Sequence, residues 1–374
     1  MHGLQLTIRL ASSRYFSRYL AYYFFSCSDY VRIMFEDEFV EMERKVGSLN
    51  SASYLCRNVT LELNREIDDF GRVYQSRAIE QLRTRKHVGD FLLTFCCRFR
   101  EMEREFSDEL IFIQPSCFGG DTKAANVIFP SHSYANLVLK TSPPLHSWKV
   151  IPPFFNHHDF QYCDKKEDYV LFLGRMQDCK GATIILDLAK SHPEKRFVLA
   201  GYSEGSREDR LRIDDRLYDL TGYPNVKHVG HAKPELRREF LSKAKCLIQP
   251  SRYKEPFGFN VIEAYLSGTP VITTNWGAFL ETVKPEATGF KCSSWGEFDD
   301  ALKRICQIRP ERCLAEGLLY TEQNLYFQYL RYFQELRLET CHMRIAALQK
   351  TKKKKGRAAL KVRKMDVVEA HHRH

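Results

Sequence analysis

The sequence predicts an α/β protein with parallel sheets, and three observations carry that prediction. Short apolar runs recur from residue 169 onward, most of them closing on Gly or Pro. Helix-length polar and amphipathic segments separate them. The chain, at 374 residues, also exceeds one ordinary core of roughly 100–200 residues, so two lobes are expected.

In the second half the run at 169–174 reads as a strand, followed by a helical stretch at 182–190. Further strand signals lie at 196–201, 226–230 and 245–250, and another at 268–274 follows a helix at 261–267. Apolar strands alternating with helices imply a sheet covered on both faces, which binds ligands beyond the carboxyl ends of its strands. The first half gives weaker signals. Residues 36–46 and 71–85 read as helices, 110–114 and 125–130 as buried strands, and 149–153 as the last strand before a segment around 155–168 that joins the lobes. Beyond residue 299 the chain is mostly helical, and 311–338 is rich in aromatic residues and leucine suited to packing on a lobe. The expected organisation is a leader or divergent N-terminus at 1–28, a lobe at 29–160, a second lobe with closing helices at 161–340, and a disordered basic tail at 341–374.

Composition narrows the class. Hydrophobic residues at 44% and charged residues at 28% sit near the globular average, which argues against a disordered chain or a polytopic membrane protein. The net charge of +10 resides almost wholly in the tail, where eleven Lys/Arg from Cys341 onward face Asp366 and Glu369. A fold that binds nucleic acid carries its excess charge on the body, so that partner is not expected; weak contact of the tail with an anionic membrane surface remains open. Twelve cysteines without paired metal spacing suit reduced thiols and a cytoplasmic setting. Arg9, Arg14 and Arg18, with no acidic residue before Asp29, leave a cleavable leader, a strand or a helix open for the first 28 residues.

Two segments carry chemistry. Gly174-Arg-Met-Gln-Asp-Cys-Lys-Gly181 places a glycine at a strand end and two cations on the loop entering a helix. Arg175, Lys180 and the free amides of that helix would meet a diphosphate there. Basic residues near a helix start are, taken alone, usually just solvated. Glu255-Pro-Phe-Gly-Phe-Asn-Val-Ile-Glu263 puts two carboxylates around a glycine and a helix start. The amides around Phe257–Asn260 would face an anion or sugar hydroxyls, and Glu263 would point to the same cleft. A surface Glu on a loop and another on a helix is the plain alternative.

The ordered set Gly174-Arg175 with Lys180-Gly181, Leu199-Ala-Gly201, Val229-Gly-His231, Gln249-Pro-Ser251, Glu255-Pro-Phe-Gly258 with Glu263-Ala264, Gly268-Thr-Pro-Val271 and Thr288-Gly-Phe290 resembles the donor lobe of glycosyltransferase family 4. The likeness is clear over about 169–302. It implies a GT-B fold of two Rossmann-like lobes, here with a divergent or shortened N-terminal lobe. It also implies a retaining hexosyltransferase that takes a UDP- or GDP-linked sugar as substrate, with a glycan, lipid or protein hydroxyl as acceptor and no cofactor. By resemblance Arg175 and Lys180 neutralise the leaving diphosphate, Glu255 contacts the sugar and Glu263 holds the ribose. Phe257, Gly258 and Phe259 present amides, and Gly174 and His231 line the nucleotide pocket. No metal is expected, because Asp214-Asp215 and Asp299-Asp300 lack Asp-x-Asp spacing. Ser131-His-Ser133 resembles the family's serine-bearing segment, with His132 read as structural. The family's Gly-rich N-terminal loop has no clear counterpart, since Gly119-Gly120 falls too late and Gly71 follows no strand. A catalytically silent sugar-nucleotide-binding or scaffold protein is therefore the alternative.

Overall fold

The computed structural model describes residues 6–11, 31–33, 79–80, 82–84, 86–94, 100–116, 125–140, 146–203, 205–207 and 209–371. The helix expected at 36–46, most of that at 71–85, and Gly119-Gly120 lie outside them. The N-terminal lobe contains β1 (Leu6–Ala11), β2 (Val31–Ile33), β3 (Phe91–Thr94), α1 (Arg100–Phe106), β4 (Ile111–Pro115), β5 (Asn126–Phe129), α2 (His132–Leu139) and β6 (Ser147–Val150). Its six strands pair in parallel in the order β2-β1-β3-β4-β5-β6. The stretch within 1–28 left open between leader, strand and helix thus supplies β1, beside which the strand order reverses.

The second lobe contains β7 (Tyr169–Leu173), α3 (Ala182–Ser191), β8 (Arg196–Ala200), β9 (Arg210–Ile213), β10 (Arg216–Asp219), β11 (Val226–His228), α4 (Pro234–Lys243) and β12 (Cys246–Gln249). It continues through α5 (Phe259–Leu266), β13 (Val271–Thr274), α6 (Phe279–Thr282), β14 (Gly289–Cys292), α7 (Trp295–Arg304) and α8 (Pro310–Leu318). Its sheet is also all parallel, ordered β11-β8-β7-β12-β13-β14. Counted within the lobe this is 3-2-1-4-5-6, the dinucleotide-binding order, with its crevice between β7 and β12. Every residue of β7, β12 and β13 is buried, which is why β7 reads as an unbroken apolar run and β12 and β13 open on apolar residues. Helix α3 buries Ala182, Ile185, Leu186, Leu188 and Ala189, the one-face spacing of an amphipathic helix. The antiparallel hairpin β9–β10 and the edge strand β14 carried no clear strand signal.

The last element, α9 (Glu322–His371), returns to the first lobe. Its Leu325, Tyr329, Tyr332, Phe333 and Leu336 join Phe91, Leu93, Ile111, Ile113, Ile128, Ile151 and Phe154 in one apolar cluster. Phe91 and Phe333 stack with centroids 5.1 Å apart, and Tyr329 Oη donates to the carbonyl of Pro152 at 3.0 Å. Full burial of each such side chain contributes about 1.5–3 kcal/mol, so this face ties the chain's end to the N-terminal sheet. The tail expected to be disordered from residue 341 is instead a continuation of α9 to His371. Ala, Leu, Lys, Arg, Met and Gln dominate the segment, and these are strong helix formers. No helix among the described residues is long and apolar enough to cross a membrane.

Candidate active site

Parallel pairing places the carboxyl ends of β7, β11 and β12 on one edge. The loops after these strands carry Gly174 to Gly181, Val229 to His231, and Pro250 to Glu263, so the topology brings the predicted residues to one side of the lobe. The turn into α3 demands glycine: Gly181 has φ +82°, and a Cβ there would lie 2.1 Å from the carbonyl oxygen of Pro250. That close approach clamps the first loop onto the loop after β12. The Cys179 carbonyl accepts from the amides of Arg252 at 2.9 Å and Tyr253 at 3.0 Å, and Arg252 pairs with Asp178 at 2.5 Å.

At the centre of this clamp Lys180 Nζ meets Glu255 Oε1 at 2.5 Å, with side chains 17% and 13% exposed. Ser251 Oγ donates to the same oxygen at 3.0 Å, and the ammonium lies 4.9 Å from the Tyr253 ring centroid. Arg175 is exposed, and its side chain makes no ion pair or hydrogen bond among the described residues. One cation is thus held in the cleft by a carboxylate, and a second is available to an incoming anion.

Gly258 caps α5 with φ +83°. The amides of Phe257, Gly258, Phe259 and Asn260 have no backbone partner among the described residues, as expected for a helix start that can receive an anion. The Phe257 side chain is 1% exposed; it packs near Phe155, Phe259 and Tyr320 with centroids 6.3, 5.3 and 5.7 Å away. Its aromatic ring anchors the turn, leaving the main chain as the part that can face a ligand. Glu263 is 1% exposed, and its Oε2 pairs with Arg237 of α4; Arg237 Nε donates to that oxygen at 3.0 Å. Arg237 Nη2 also reaches Asn260 Oδ1 at 2.7 Å, while Asn260 and Gln249 both donate to the carbonyl of Leu173, at 2.7 and 2.6 Å. The end of β7, the start of α5 and α4 are thereby one network. His231 is exposed on its loop. The neighbouring His228 contacts the Gly201 carbonyl through Nε2 at 3.0 Å, and burial lowers its pKa.

Sequence reasoning missed Arg237. The available signal was Glu263 itself, a carboxylate inside the apolar run Val-Ile-Glu-Ala-Tyr-Leu; a buried carboxylate calls for a cation. It also missed Glu281. Across the lobe boundary, the Glu281 carboxylate accepts from the amides of His132 at 2.9 Å and Ser133 at 2.5 Å. Ser131 Oγ donates to the Pro256 carbonyl at 2.7 Å and caps Tyr134 N at 3.1 Å. The Ser131-His-Ser133 segment therefore serves here as a junction made by its main chain and Ser131. Asp214, set aside as a metal ligand, has φ +46° and accepts from Asp178 N at 2.8 Å, so the β9–β10 hairpin braces the cation loop.

Two parallel Rossmann-like sheets joined by a returning helix define a GT-B fold. Residues 155–313 match the profile of the family described as Glycosyl transferases group 1. Over 128 residues the chain is 31% identical to a glycogen synthase of Mycobacterium tuberculosis (strain ATCC 25618 / H37Rv), covering 33% of this chain and 30% of that protein. Over 157 residues it is 30% identical to a D-inositol 3-phosphate glycosyltransferase of Corynebacterium kroppenstedtii, covering 40% of this chain and 34% of that protein. The match thus spans about a third of the length of these relatives. Among solved structures, Anabaena Alr3699/HepE in complex with UDP and glucose superposes with a TM-score of 0.61 at 14% identity, over 89% of this chain and all of that one. Sucrose-phosphate synthase from Thermosynechococcus elongatus gives 0.55 at 18% identity, over 66% of this chain and 73% of that one. At these identities the likeness is one of fold.

Proposed function

We propose that the protein is a glycosyltransferase that moves a hexose from a nucleoside diphosphate sugar to an acceptor hydroxyl with retention of configuration and without a metal. The observation that supports this reading is the placement of Arg175, the Lys180–Glu255 pair and the amides that open α5 on loops that follow the carboxyl ends of β7 and β12. Breaking a glycosyl phosphate bond develops negative charge on the leaving oxygen and positive charge on the sugar. Fixed cations and amides on the phosphate side stabilise that state directly; loss of one such donor costs roughly 10²–10³ in kcat. Lys180 and Arg175 take the diphosphate, Glu255 the sugar hydroxyls, and Glu263, oriented by Arg237, the ribose. Gly174 and His231 line the nucleotide pocket. Retention follows from the family resemblance: the reaction runs on one face, and the departing phosphate accepts the acceptor's proton. UDP, the nucleotide in the HepE complex, is the first donor base to try.

Confinement of the family match to 155–313 favours one second reading, a sugar-nucleotide-binding protein without turnover. Thermal unfolding with UDP, GDP, ADP and their sugars, followed by an assay of nucleotide release, separates the two. The transferase reading expects stabilisation and release in the unmodified protein, with release lost in Arg175→Ala and Glu255→Ala variants that still fold. Undiminished release in both variants would remove these residues from the mechanism.

A further inference from the structure

The returning helix α9 has two unlike sides. One buries Leu325, Tyr329, Tyr332, Phe333 and Leu336 in the cluster shared with the N-terminal sheet, which fixes the helix's rotation about its own axis. Phe327, Leu338 and Ile345 are instead 68%, 61% and 53% exposed. At about 3.6 residues per turn these three positions fall on one line, on the side opposite the buried row. Single exposed apolar side chains are ordinary on a protein surface. Three in register over about 27 Å of one helix form a stripe, and the exposed Arg331 lies along it. The stripe runs directly into a basic segment. Between Lys350 and His371 the sequence carries nine Lys/Arg against Asp366 and Glu369, and the helix continues through all of it. The four lysines at 352–355 occupy consecutive positions, which go once round a helix, so basic positions recur on the side of the stripe as on the others.

We infer that the outer side of α9 docks the protein on an anionic membrane surface, with the stripe of Phe327, Leu338 and Ile345 in the headgroup region and the basic segment over the charged lipids. A helix lying in the interface buries its apolar side among headgroups and acyl chains, and each Lys or Arg within a Debye length of an anionic leaflet adds attraction. A bilayer therefore satisfies both features of α9 at once. Nucleic acid would meet the charge and leave the apolar stripe in water. A second copy of α9 packed in parallel would cover the stripe and set two basic segments side by side, and an antiparallel copy would leave both without counter-charge. Because the opposite side of α9 is packed on the N-terminal sheet, docking brings the N-terminal lobe to the membrane. None of these residues belongs to the donor site, so the surface does not depend on the function proposed above.

The test is vesicle co-sedimentation of the full chain. The probes are phosphatidylcholine vesicles and vesicles in which about 30% of the lipid is phosphatidylserine. The unmodified protein should bind the anionic vesicles about 100-fold or more tightly than the neutral ones, and raising NaCl from about 0.1 to about 0.5 M should cost about tenfold or more. A variant with Lys352→Gln, Lys353→Gln, Lys354→Gln and Lys355→Gln should bind anionic vesicles about 100-fold more weakly. The stripe variant, Phe327→Gln with Leu338→Gln and Ile345→Gln, should lose about tenfold or more while keeping the Tm of the unmodified protein, because all three side chains face solvent. Equal binding of the two vesicle types by the unmodified protein, binding of neither, or undiminished binding by either variant overturns the inference. So does tighter binding of a DNA duplex of about 20 base pairs, equal in the unmodified protein and the stripe variant, which would assign the segment to polyanions. Sedimentation velocity showing a dimer that the stripe variant abolishes would assign the stripe to a second copy and overturn it as well.

Discussion

Replacing Arg237 by methionine removes the guanidinium that meets Glu263 and leaves a carboxylate at 1% exposure in the wall of α5. Breaking a fully buried pair costs about 3–5 kcal/mol, because the remaining charge is uncompensated. Arg237 keeps 24% of its side chain exposed, and water reaching it weakens the pair, so the expected loss is about 2–3 kcal/mol. Methionine fills much of the volume, which keeps a cavity from accounting for the effect. With a urea dependence of a few kcal/mol per molar, the midpoint should fall by about 1 M. The decisive comparison is the same substitution made on Glu263→Gln. A neutral amide needs no cation, so Arg237→Met should there cost about 1 kcal/mol or less, giving a coupling well above the error of a double-mutant cycle. A loss below about 1 kcal/mol in the unmodified background, or an equal loss in both backgrounds, would refute the claim that Arg237 holds Glu263.

Three further outcomes are expected. Gly181→Ala should destabilise by about 2 kcal/mol or more, because it forces a left-handed φ on alanine and drives a Cβ against the Pro250 carbonyl; a urea midpoint within error of the unmodified protein would contradict the clamp. Glu281→Ala frees the amides of His132 and Ser133, so hydrogen exchange at the start of α2 should quicken by about tenfold or more, whereas unchanged exchange would show that this carboxylate does not tie the lobes. Lys166 donates to the Ser242 and Ser267 carbonyls and to Thr269 Oγ1 at 2.7, 3.0 and 2.8 Å, and burial lowers its pKa from 10.5 to about 8. The unfolded chain then binds more protons between those values, so stability relative to Lys166→Met should rise as pH climbs from about 8 toward 10.5; urea midpoints of both proteins across that range that stay parallel would contradict this sign.

How much was legible depended on local periodicity. Tyr169–Leu173 was readable because a strand buried on both faces needs uninterrupted apolar side chains, and Arg196–Ala200 and Val271–Thr274 because their buried positions still leave short apolar runs. The hairpin Arg210–Asp219 was not, because arginine and aspartate take most of its exposed positions and resemble a loop. The helical continuation beyond residue 341 was masked by its charge, a property that marks solvated tails and exposed helices alike.

Within the site, residue types and spacing put Arg175 and Lys180 on the segment leading into one helix, Glu255 on the loop before another, and Glu263 on that second helix. They also placed those segments at strand ends, since the alternation of strand and helix forces that side of a parallel sheet. Tertiary structure alone decided the partners: Lys180 with Glu255 across 75 positions, Glu263 with Arg237 across 26, and Glu281 with the amides of α2 across nearly 150. A charge carries no record in sequence of which distant charge it meets. That pairing is set by how the helices pack onto the sheet and how the two lobes meet.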